Sequence, residues 1–404
     1  MKTLVVIGTI FPESSSSAAG VRMRQLIDFF KWSKYTIHFL STSPIGTQSD
    51  NLPDAGIKIH IIELNSNSVE DLLCAINPEI VLFDRFISEE QFGWRVASAV
   101  PEALRILDTE DLHFLRAARK TALQKQLPVS RELLQNEIAK REIASILRCD
   151  VSLIISSYEF KLLTNVFSLD QTILFYMPLL AQPSPTNNSF SQRVDFLSVG
   201  NFRHDPNWQT VLKLNALWPK IRAQLPGANL HVFGAYPPEK AMNLNNATKG
   251  FLVHGHAQNL EKVYATARVL LAPIPYGAGL KGKLIDSMKY GVPNVTTSVG
   301  AEGLDQAGIW NGFITDDELD FVRKAITLYE NENLWNTSRL NGFAIIEKAL
   351  NVREFYPKLH DLIYKILLDL HAHRQKNFLG QILSHHTLQS TKYLSRWIEA
   401  KNKK

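Results

Sequence analysis

Short apolar runs alternate with helix-like segments along the first half of the chain. Seven β-branched or aliphatic runs, of the kind that fill the centre of a sheet, predict strands: TLVVIGTI, YTIHFLST, IKIHIIEL, EIVLFDRF, LRILDTED, VSLIISS and TILFYMP. Between several of them, apolar residues recur at helical spacing in GVRMRQLIDFFKW, SVEDLLCAI, EEQFGWRVASAV and RELLQNEIAKREIASIL. This alternation predicts an α/β domain built on a doubly wound parallel sheet.

A polar segment separates this half from a second unit of the same kind. Residues 181–193, AQPSPTNNSFSQR, contain two prolines and no apolar periodicity, which is typical of an interdomain linker. Strand-like and helix-like segments then alternate again from VDFLSVGNF to VPNVTTSVG, and the pattern becomes almost wholly helical after about residue 317. We therefore expect an N-terminal domain at 1–180, a second α/β domain at 194–345, and C-terminal helices with a basic tail at 346–404 that pack back on the first domain.

Length and composition are those of a folded protein with two domains. The chain has 404 residues, of which 45% are hydrophobic and 21% charged. No apolar run approaches the roughly 20 residues of a membrane-spanning helix. The first residues imitate a signal peptide, but the apolar run is short and Pro12 and Glu13 follow it, so a first buried strand is the preferred interpretation. The only cysteines, Cys74 and Cys149, have no disulfide or metal spacing, so we expect a reducing, cytoplasmic compartment.

The net charge of +5 is concentrated at one end of the chain. Residues 371–404 contain seven Lys and Arg against one acid, which gives this tail +6 and leaves the other residues at about −1. A near-neutral body argues against nucleic acid as a partner. Apolar residues at roughly helical spacing within 376–404 are compatible with a helix on an anionic membrane surface. A helix that packs on the first domain and ends in a frayed basic segment is the preferred interpretation.

The strongest candidate for chemistry is the stretch PYGAGLKGKLIDSMKYGVP, which follows the apolar run VLLAPI. It predicts a strand, a glycine loop and a helix, with Lys281 and Lys283 near the turn and Asp286 one turn into the helix. Glycines allow close approach of the backbone, and a helix N-terminus beside lysines favours a phosphate. The alternative is an ordinary loop with exposed lysines.

Two further loops follow predicted strands at corresponding points of the two domains. In the second domain, Gly200 ends a strand and Arg203 lies in the turn NFRHDPN, where a guanidinium could hold a diphosphate. In the first domain, Gly20 lies at a strand-to-helix turn that should face the cleft. Arg24 is a weaker cleft candidate, and Arg22 is expected on the exposed face of the first helix. A solvated loop is the alternative for Arg203.

One histidine follows a predicted strand end in the segment DTEDLHFLRAAR. His113 is the candidate near the reacting centre, where an imidazole could hydrogen-bond a substrate or assist proton transfer. A packed core histidine is the alternative, since Phe114 and Leu115 follow it. No Asp-x-Asp pair suggests a metal, so neither a metal nor another cofactor is expected.

Taken together, these motifs resemble a known family. The order and spacing of FLSVGNFRHDPN, LHVFGAYP, GFLVHGHAQNLEKVYATARVLLAPI, GAGLKGKLIDSMKYGVPNVTT and SVGAEGL, between Val194 and Leu304, closely resemble the donor domain of family 4 (group 1) glycosyltransferases. The N-terminal half is similar more weakly, through FPESSSSAAGVRMRQL and LDTEDLHFLR. The resemblance implies the GT-B fold, in which two Rossmann-like domains face each other across a cleft.

The resemblance also implies roles for individual residues. The second domain would bind a nucleotide-sugar and the first an acceptor, which could be a glycan or a lipid-linked molecule. Asp286 would bind the ribose hydroxyls, and Gly20 would approach the donor phosphate. The sequence is similar to a branch with a GAGxKxK loop, in which the diphosphate would bind backbone N–H groups and cations contributed by Gly279, Leu280, Lys281, Lys283 and Arg203. Glu302 also matches the family pattern, although capping of the following segment competes with a cleft role.

The resemblance implies a metal-independent transfer with retention of anomeric configuration. The sequence departs from the family pattern at one position of the donor site: Ala278 stands where many members have a glutamate that contacts the sugar. Two other functions therefore stay open: a non-catalytic relative that binds a nucleotide-sugar, and another GT-B enzyme such as an epimerase. A dinucleotide dehydrogenase is disfavoured, because no G-x-G-x-x-G follows the first strand.

Overall fold

The computed structural model contains two parallel sheets, each covered by helices on both faces. It describes residues 2–186, 188–304 and 308–385 and, after residue 385, only 393, 397, 398 and 401. The remainder of the tail in which a membrane-surface helix was considered lies outside the described residues. Among the described residues, no helix is both long enough and apolar enough to cross a bilayer.

The first sheet has the strand order β3-β2-β1-β4-β5-β6-β7, and every pair in it is parallel. Its strands are β1 (Thr3–Gly8), β2 (Thr36–Ser41), β3 (Lys58–Ile61), β4 (Ile80–Asp84), β5 (Leu104–Asp108), β6 (Val151–Ile154) and β7 (Leu174–Tyr176). The helices of this part are α1 (Ala18–Trp32), α2 (Ser68–Ile76), α3 (Arg85–Ala99), α4 (His113–Lys125), α5 (Arg131–Leu134), α6 (Glu137–Arg148) and α7 (Ser157–Asn165). Alternate residues of the central strands enter two apolar cores, one on each face: Val5 and Val81 on one, Leu4 and Ile80 on the other.

The second sheet has the order β10-β9-β8-β11-β12-β13 and is also parallel throughout. Its strands are β8 (Val194–Val199), β9 (Leu230–Phe233), β10 (Phe251–Gly255), β11 (Ala267–Ala272), β12 (Asn294–Thr296) and β13 (Gly312–Ile314). Its helices are α8 (Asp205–Gln224), α9 (Glu239–Met242), α10 (Leu260–Thr266), α11 (Gly282–Lys289), α12 (Ser298–Ala301), α13 (Glu318–Glu330) and α14 (Glu332–Ala349). The predicted fold class, two doubly wound α/β units with C-terminal helices, is confirmed.

The last helices return to the first sheet. They are α15 (Val352–Leu368), α16 (Leu370–Lys376) and α17 (Phe378–Ser384). In α15, Phe355, Leu359 and Ile363 are buried in the same core as Leu4. The two sheets are thus connected twice, once by the segment after β7 and once by α15, and the carboxyl ends of their central strands meet at the boundary between the domains.

Candidate functional site

The glycine loop between β11 and α11 lies on the boundary between the domains. Gly279 has a φ of +64°, and a Cβ there would lie 2.8 Å from the Cβ of Asp111 in the N-terminal domain, so only glycine fits. Ala278 is buried in a core formed mainly by the N-terminal domain, and Leu280 is buried in a core of the second domain. The predicted phosphate loop is therefore also a contact surface between the domains.

A carboxylate from the N-terminal domain binds this loop. Oε1 of Glu159, on α7, accepts hydrogen bonds from the backbone N–H of Gly279 at 2.7 Å and of Leu112 at 3.1 Å. The side chain is fully buried, and its Oε2 has no hydrogen-bond partner among the described residues. Burial raises the pKa of Glu159 to about 7. A backbone N–H that was predicted to hold diphosphate is thus bonded to a carboxyl group in this structure, and an acid lies beside the loop although residue 278 carries none.

The two lysines of the motif lie at the N-terminus of α11. Lys281 Nζ donates to the carbonyl oxygens of Gly279 at 2.7 Å and Ala278 at 3.2 Å, and burial lowers its pKa to about 8. Lys283 Nζ donates to Oδ1 of Asn207 at 2.8 Å, and burial together with the charge of Lys281 lowers its pKa to about 7. The structure brings both ammonium groups to one helix terminus, where the partial positive charge of the helix adds to theirs.

Gly200 and Arg203 come from the loop that follows β8. A Cβ on Gly200 would lie 2.8 Å from Lys283 Nζ and 2.7 Å from the side chain of Asn207, so this glycine makes room for that pair. Arg203 is exposed, and its guanidinium stacks on the ring of Tyr236 at 3.5 Å from the ring centre. Gly200 is therefore next to Lys283 and Asn207, whereas Arg203 lies on the partly buried ring of Tyr236.

Asp286 is half-buried one turn after Lys283 on α11. Burial raises the pKa of Asp286 to about 6, and the nearby charge of Lys289 offsets this increase only partly. Within the described residues, no hydrogen bond to its carboxylate is found. A carboxylate in this position retains its capacity to accept hydrogen bonds from hydroxyl groups.

In the N-terminal domain, the structure corrects the prediction for Arg22. It is only 1% exposed, and its Nε donates to the Asp108 carboxylate at 2.8 and 3.1 Å, while its Nη1 donates to the carbonyl of Met177 at 2.7 Å. The expectation of an exposed helix face was wrong because the carboxylate partner ends β5, 86 positions away. Arg24 does lie on the helix surface, where Asp28 is 3.7 Å away.

Gly20 is a close-approach glycine, but its nearest neighbour is its own loop. A Cβ on Gly20 would lie 2.3 Å from the carbonyl group of Glu13. The loop before α1 is therefore held close to the helix start, where Ser17 also caps the Gly20 N–H at 3.0 Å. In the same loop, the Glu13 carboxylate accepts from the Tyr236 hydroxyl at 2.9 Å, which ties it to the second domain.

His113 is the first residue of α4 and is largely buried. Its ring meets Phe86 edge-on at 5.3 Å, and its Nε2 lies 3.6 Å from a carboxylate oxygen of Asp111. Burial lowers the pKa of His113 to about 4, so the imidazole is neutral near pH 7. The backbone N–H groups of His113 and Phe114 both donate to Glu142, which fixes the start of the helix. A neutral, fixed imidazole suits hydrogen bonding better than proton uptake.

Glu302 forms an ion pair between the domains. Its carboxylate binds the guanidinium of Arg119, on α4, at 2.9 and 2.5 Å, and Arg119 also donates to the carbonyl of Gly277 at 2.7 Å. Both charged side chains are largely buried, and Arg119 also lies over the ring of Tyr158. A second, more exposed pair joins Lys120 to Asp205 at 2.8 Å. The two domains are thus held in a closed arrangement by charged contacts.

Sequence reasoning missed the roles of Arg119, Glu159 and Tyr236, which all join the domains. Glu159 is an acid in the first turn of a helix, and such acids usually complement the helix dipole. Nothing local distinguishes it from that ordinary role, because its partner at Gly279 is 120 positions away. Among the described residues, no group of three or more His, Cys, Asp or Glu is arranged to hold a metal ion.

Comparison with known proteins finds a family match in the second domain. Residues 193–331 match the family model described as glycosyl transferases group 1. A curated Klebsiella pneumoniae protein, described as an uncharacterized 44.6 kDa protein in the cps region, is 23% identical over 171 residues, which is 40% of this chain. The match spans only 44% of that protein.

Solved structures show the same architecture over nearly the whole chain. A sucrose-phosphate synthase from Thermosynechococcus elongatus has a TM-score of 0.70 at 14% identity, with 91% of this chain and 100% of that one covered. A glycosyltransferase from Rickettsia africae has a TM-score of 0.67 at 11% identity, covering 91% and 99%. HepE from Anabaena, in complex with UDP-glucose, has a TM-score of 0.66 at 11% identity, covering 90% and 99%. These likenesses establish the GT-B fold.

Proposed function

We propose that this protein is a group 1 glycosyltransferase that moves a sugar from a nucleotide-diphosphate sugar to a hydroxyl group of an acceptor. The observation that carries the proposal is the pair Lys281 and Lys283 at the N-terminus of α11, with Asp286 one turn further on, in the segment that matches the family model. Two ammonium groups and a helix terminus are complementary to a diphosphate. UDP is the first nucleotide to test, because HepE was solved with UDP-glucose.

In the proposed reaction, the bond between the sugar and the diphosphate breaks while the acceptor oxygen bonds to the same carbon. The acceptor proton passes to the departing phosphate, and the configuration at that carbon is retained. Lys281 and Lys283 offset the negative charge that grows on the diphosphate, which stabilises the transition state more than the ground state. These cations make a metal unnecessary in this proposal.

The other residues take supporting roles in the same proposal. Asp286 accepts hydrogen bonds from the ribose hydroxyls, and His113, as a neutral imidazole, hydrogen-bonds the transferred sugar. Backbone N–H groups from Gly279 to Lys281 complete the diphosphate site once the contact between Glu159 and Gly279 is released. We place the reaction in the cytoplasm, where Cys74 and Cys149 would stay reduced; neither is paired in the structure.

The first test is a thermal-shift screen of the full chain against UDP, GDP, ADP, CMP and dTDP. A nucleotide at about 100 times its Kd should stabilise the fold by roughly 2.7 kcal/mol. Lys283→Ala and Asp286→Ala should abolish the shift. Lys289→Ala, a lysine at the other end of the same helix, should keep it. No shift with any nucleotide would refute the donor site.

A non-catalytic nucleotide-sugar-binding protein is the second candidate, and Ala278 favours it because it cannot contact the sugar as a glutamate would. The two candidates differ in turnover. Release of free nucleotide from a bound nucleotide-sugar, with acceptor or slowly with water, supports transfer. Tight nucleotide-sugar binding without any release across a panel of glycan and lipid-linked acceptors supports the second candidate.

A further inference from the structure

A cavity lies at the opposite edge of the N-terminal sheet from the candidate functional site. It has a volume of about 260 Å³ and is bounded by the start of β5, the end of α6 and the helices α16 and α17. The candidate functional site lies at the carboxyl ends of the strands, whereas this cavity lies at their amino ends. Two residues that line it, Asp150 and His373, are 223 positions apart, and the imidazole is hydrogen-bonded to the backbone carbonyl of Asp150 at 2.7 Å. The cavity is therefore formed by the docking of the last helices on the first sheet.

Cations outnumber acids around this cavity. Within the described part of the chain, three arginines line it, Arg105, Arg148 and Arg374, together with a single carboxylate, that of Asp150. One further acid, Glu89, pairs with Arg148 without lining the cavity and is only 4% exposed. Three positive charges against two negative ones leave one guanidinium group without a compensating carboxylate.

Two of the three guanidinium groups are fixed by carboxylates. Nε and Nη2 of Arg374 donate to the two carboxylate oxygens of Asp150 at 2.7 and 2.9 Å. The Arg374 side chain also donates to the carbonyl of Ala103 at 2.8 Å. Arg148 donates to both carboxylate oxygens of Glu89, from its Nε at 2.8 Å. Bidentate pairs of this kind hold the guanidinium plane in one orientation, so both groups are preorganised at the wall of the cavity.

Arg105 is the guanidinium group without a carboxylate of its own. Its side chain makes no hydrogen bond to any of the described residues: its Nε is buried without a partner, and Oδ2 of Asp150 lies 3.9 Å away. That oxygen already accepts hydrogen bonds from Arg374 and from the backbone N–H of Arg105. The Arg105 side chain is only 16% exposed, so water has little access to it. A largely buried cation beside two others is unfavourable unless an anion lies among them.

The chemistry of the three guanidinium groups favours phosphate as the ligand. A guanidinium presents parallel N–H donors that match the oxygens of a phosphate group, and such charge-assisted hydrogen bonds are short and strong. A phosphate monoester carries a charge of about −1.5 to −2 at pH 7 and three acceptor oxygens, so it can bind several guanidinium groups at once. A carboxylate ligand offers one charge and two oxygens. We propose that this cavity binds a phosphate group, as the free ion or as the monoester of a small molecule, with Arg105 as its principal contact.

The size of the cavity limits what the phosphate group can carry. Pockets that hold drug-sized molecules have volumes of roughly 300–1,000 Å³. At about 260 Å³, this cavity accommodates a phosphate group with a short carbon chain but does not enclose a nucleotide-sugar. The bound group would join β5 and α6 to α16 and would thereby strengthen the docking of the last helices. The cavity shares no residue with the glycine loop, so the inference does not depend on the proposed function.

The test is isothermal titration calorimetry of the full chain with inorganic phosphate and with glycerol 3-phosphate, at an ionic strength kept constant with sodium chloride. Phosphate also suits the lysines of α11, so every chain in the series carries Lys283→Ala. We expect saturable binding that Arg105→Gln weakens roughly tenfold or more, because this change removes charge-assisted hydrogen bonds. The matched control is Arg141→Gln, which removes the same charge from α6 at an exposed residue outside the cavity and should leave the affinity unchanged.

Any of three calorimetric results would overturn the proposal. These are the absence of saturable binding with either compound, an equal affinity after Arg105→Gln, and an equal loss of affinity after Arg141→Gln, which would indicate a general effect of surface charge. Because its side chain has no hydrogen bond to a described residue, Arg105→Gln should keep the melting temperature in phosphate-free buffer. If that variant is unstable, Arg105→Lys keeps the charge without the planar fork and should still weaken binding.

Hydrogen exchange locates the bound phosphate independently of these variants. On the proposal, phosphate slows exchange of the backbone amides in 370–385, since it joins α16 to the sheet, and leaves those of the glycine loop unchanged. Unchanged exchange in 370–385 at saturating phosphate would place the ion elsewhere and would refute the site. Loss of nucleotide binding has no bearing on this result, so failure of the donor site and failure of this site are distinguishable.

Discussion

Replacing Arg119 by alanine should shift the protein from a closed to an open arrangement of its domains. The guanidinium makes three hydrogen bonds across the boundary, two to Glu302 and one to the carbonyl of Gly277. Both charged side chains are mostly buried, at 9% and 12% exposed, so solvent screens the pair little. Removal of one partner of such a pair costs about 3–5 kcal/mol when the other stays buried.

The location of the pair decides where this free energy is observed. When the domains separate, Glu302 regains water, so the loss weakens domain closure rather than the fold of either domain. A loss of about 3 kcal/mol corresponds to a shift of roughly 150-fold in the closed-to-open equilibrium. Small-angle X-ray scattering should therefore show a larger radius of gyration for Arg119→Ala, and KM for the donor should rise if catalysis requires closure.

Arg148 provides the matched control. It pairs with Glu89 inside the N-terminal domain, at 2.8 Å and with both side chains mostly buried. Arg148→Ala should lower the melting temperature without any change in the radius of gyration. If Arg119→Ala keeps both the scattering curve and the donor KM of the unchanged chain, the pair does not hold the domains closed. A double variant with Glu302→Ala should recover part of the loss, since it removes the uncompensated charge.

Three further predictions concern ionisable groups. Because the pKa values of Lys283 and Lys281 are lowered to about 7 and 8, nucleotide affinity should weaken above these pH values. The loss should be up to about tenfold per pH unit for each proton taken up on binding. Calorimetric titrations from acidic to alkaline pH would measure this loss, and an affinity that does not change with pH would contradict it. The pKa of Glu159 is raised from its usual value near 4.5 to about 7 in the folded protein. The free energy of unfolding should therefore be highest below pH 4.5 and should fall by roughly 3 kcal/mol as the pH rises toward 7, because the unfolded chain loses this proton first. Denaturant unfolding of Glu159→Gln should lack this slope, and an unchanged slope would exclude Glu159 as its source. Arg22→Ala leaves Asp108 buried without its partner, so the free energy of unfolding should fall by about 3–5 kcal/mol. A fall of less than about 1 kcal/mol would show that the pair contributes little to stability.

The sequence predicted the fold because the fold depends on local patterns. Buried strands such as TLVVIG and IVLFD are continuous apolar runs, and alternation of strands with helices admits few arrangements other than a parallel sheet. Helix α4 was not predicted, because its first residues were considered only as a polar segment that follows a strand end. Strand β13 has only three residues, Gly312–Ile314, which are too few to form a recognisable β-branched run. It was therefore not predicted either.

The candidate site was predictable only where its parts are close in sequence. Lys281, Lys283 and Asp286 lie at the start of one helix, so the sequence could predict that their side chains are close together. Arg22 and Glu159 depend on partners 86 and 120 positions away, and no periodicity reports such contacts. A sequence pattern indicates which side chains are present at a strand end, whereas the contacts across the domain boundary follow from the packing of whole domains.

The hydrogen bond from Gly279 to Glu159 has a consequence for the speed of donor binding. One N–H group cannot serve a carboxylate and a diphosphate at once, so on the proposed function each association event first exchanges an internal acceptor for an incoming one. The exchange requires α7 and the glycine loop to move apart, which is a motion of the domains and not of the ligand. At high donor concentration the observed association rate would then level off at the rate of that motion, and the protein, rather than diffusion, would limit how fast its substrate enters.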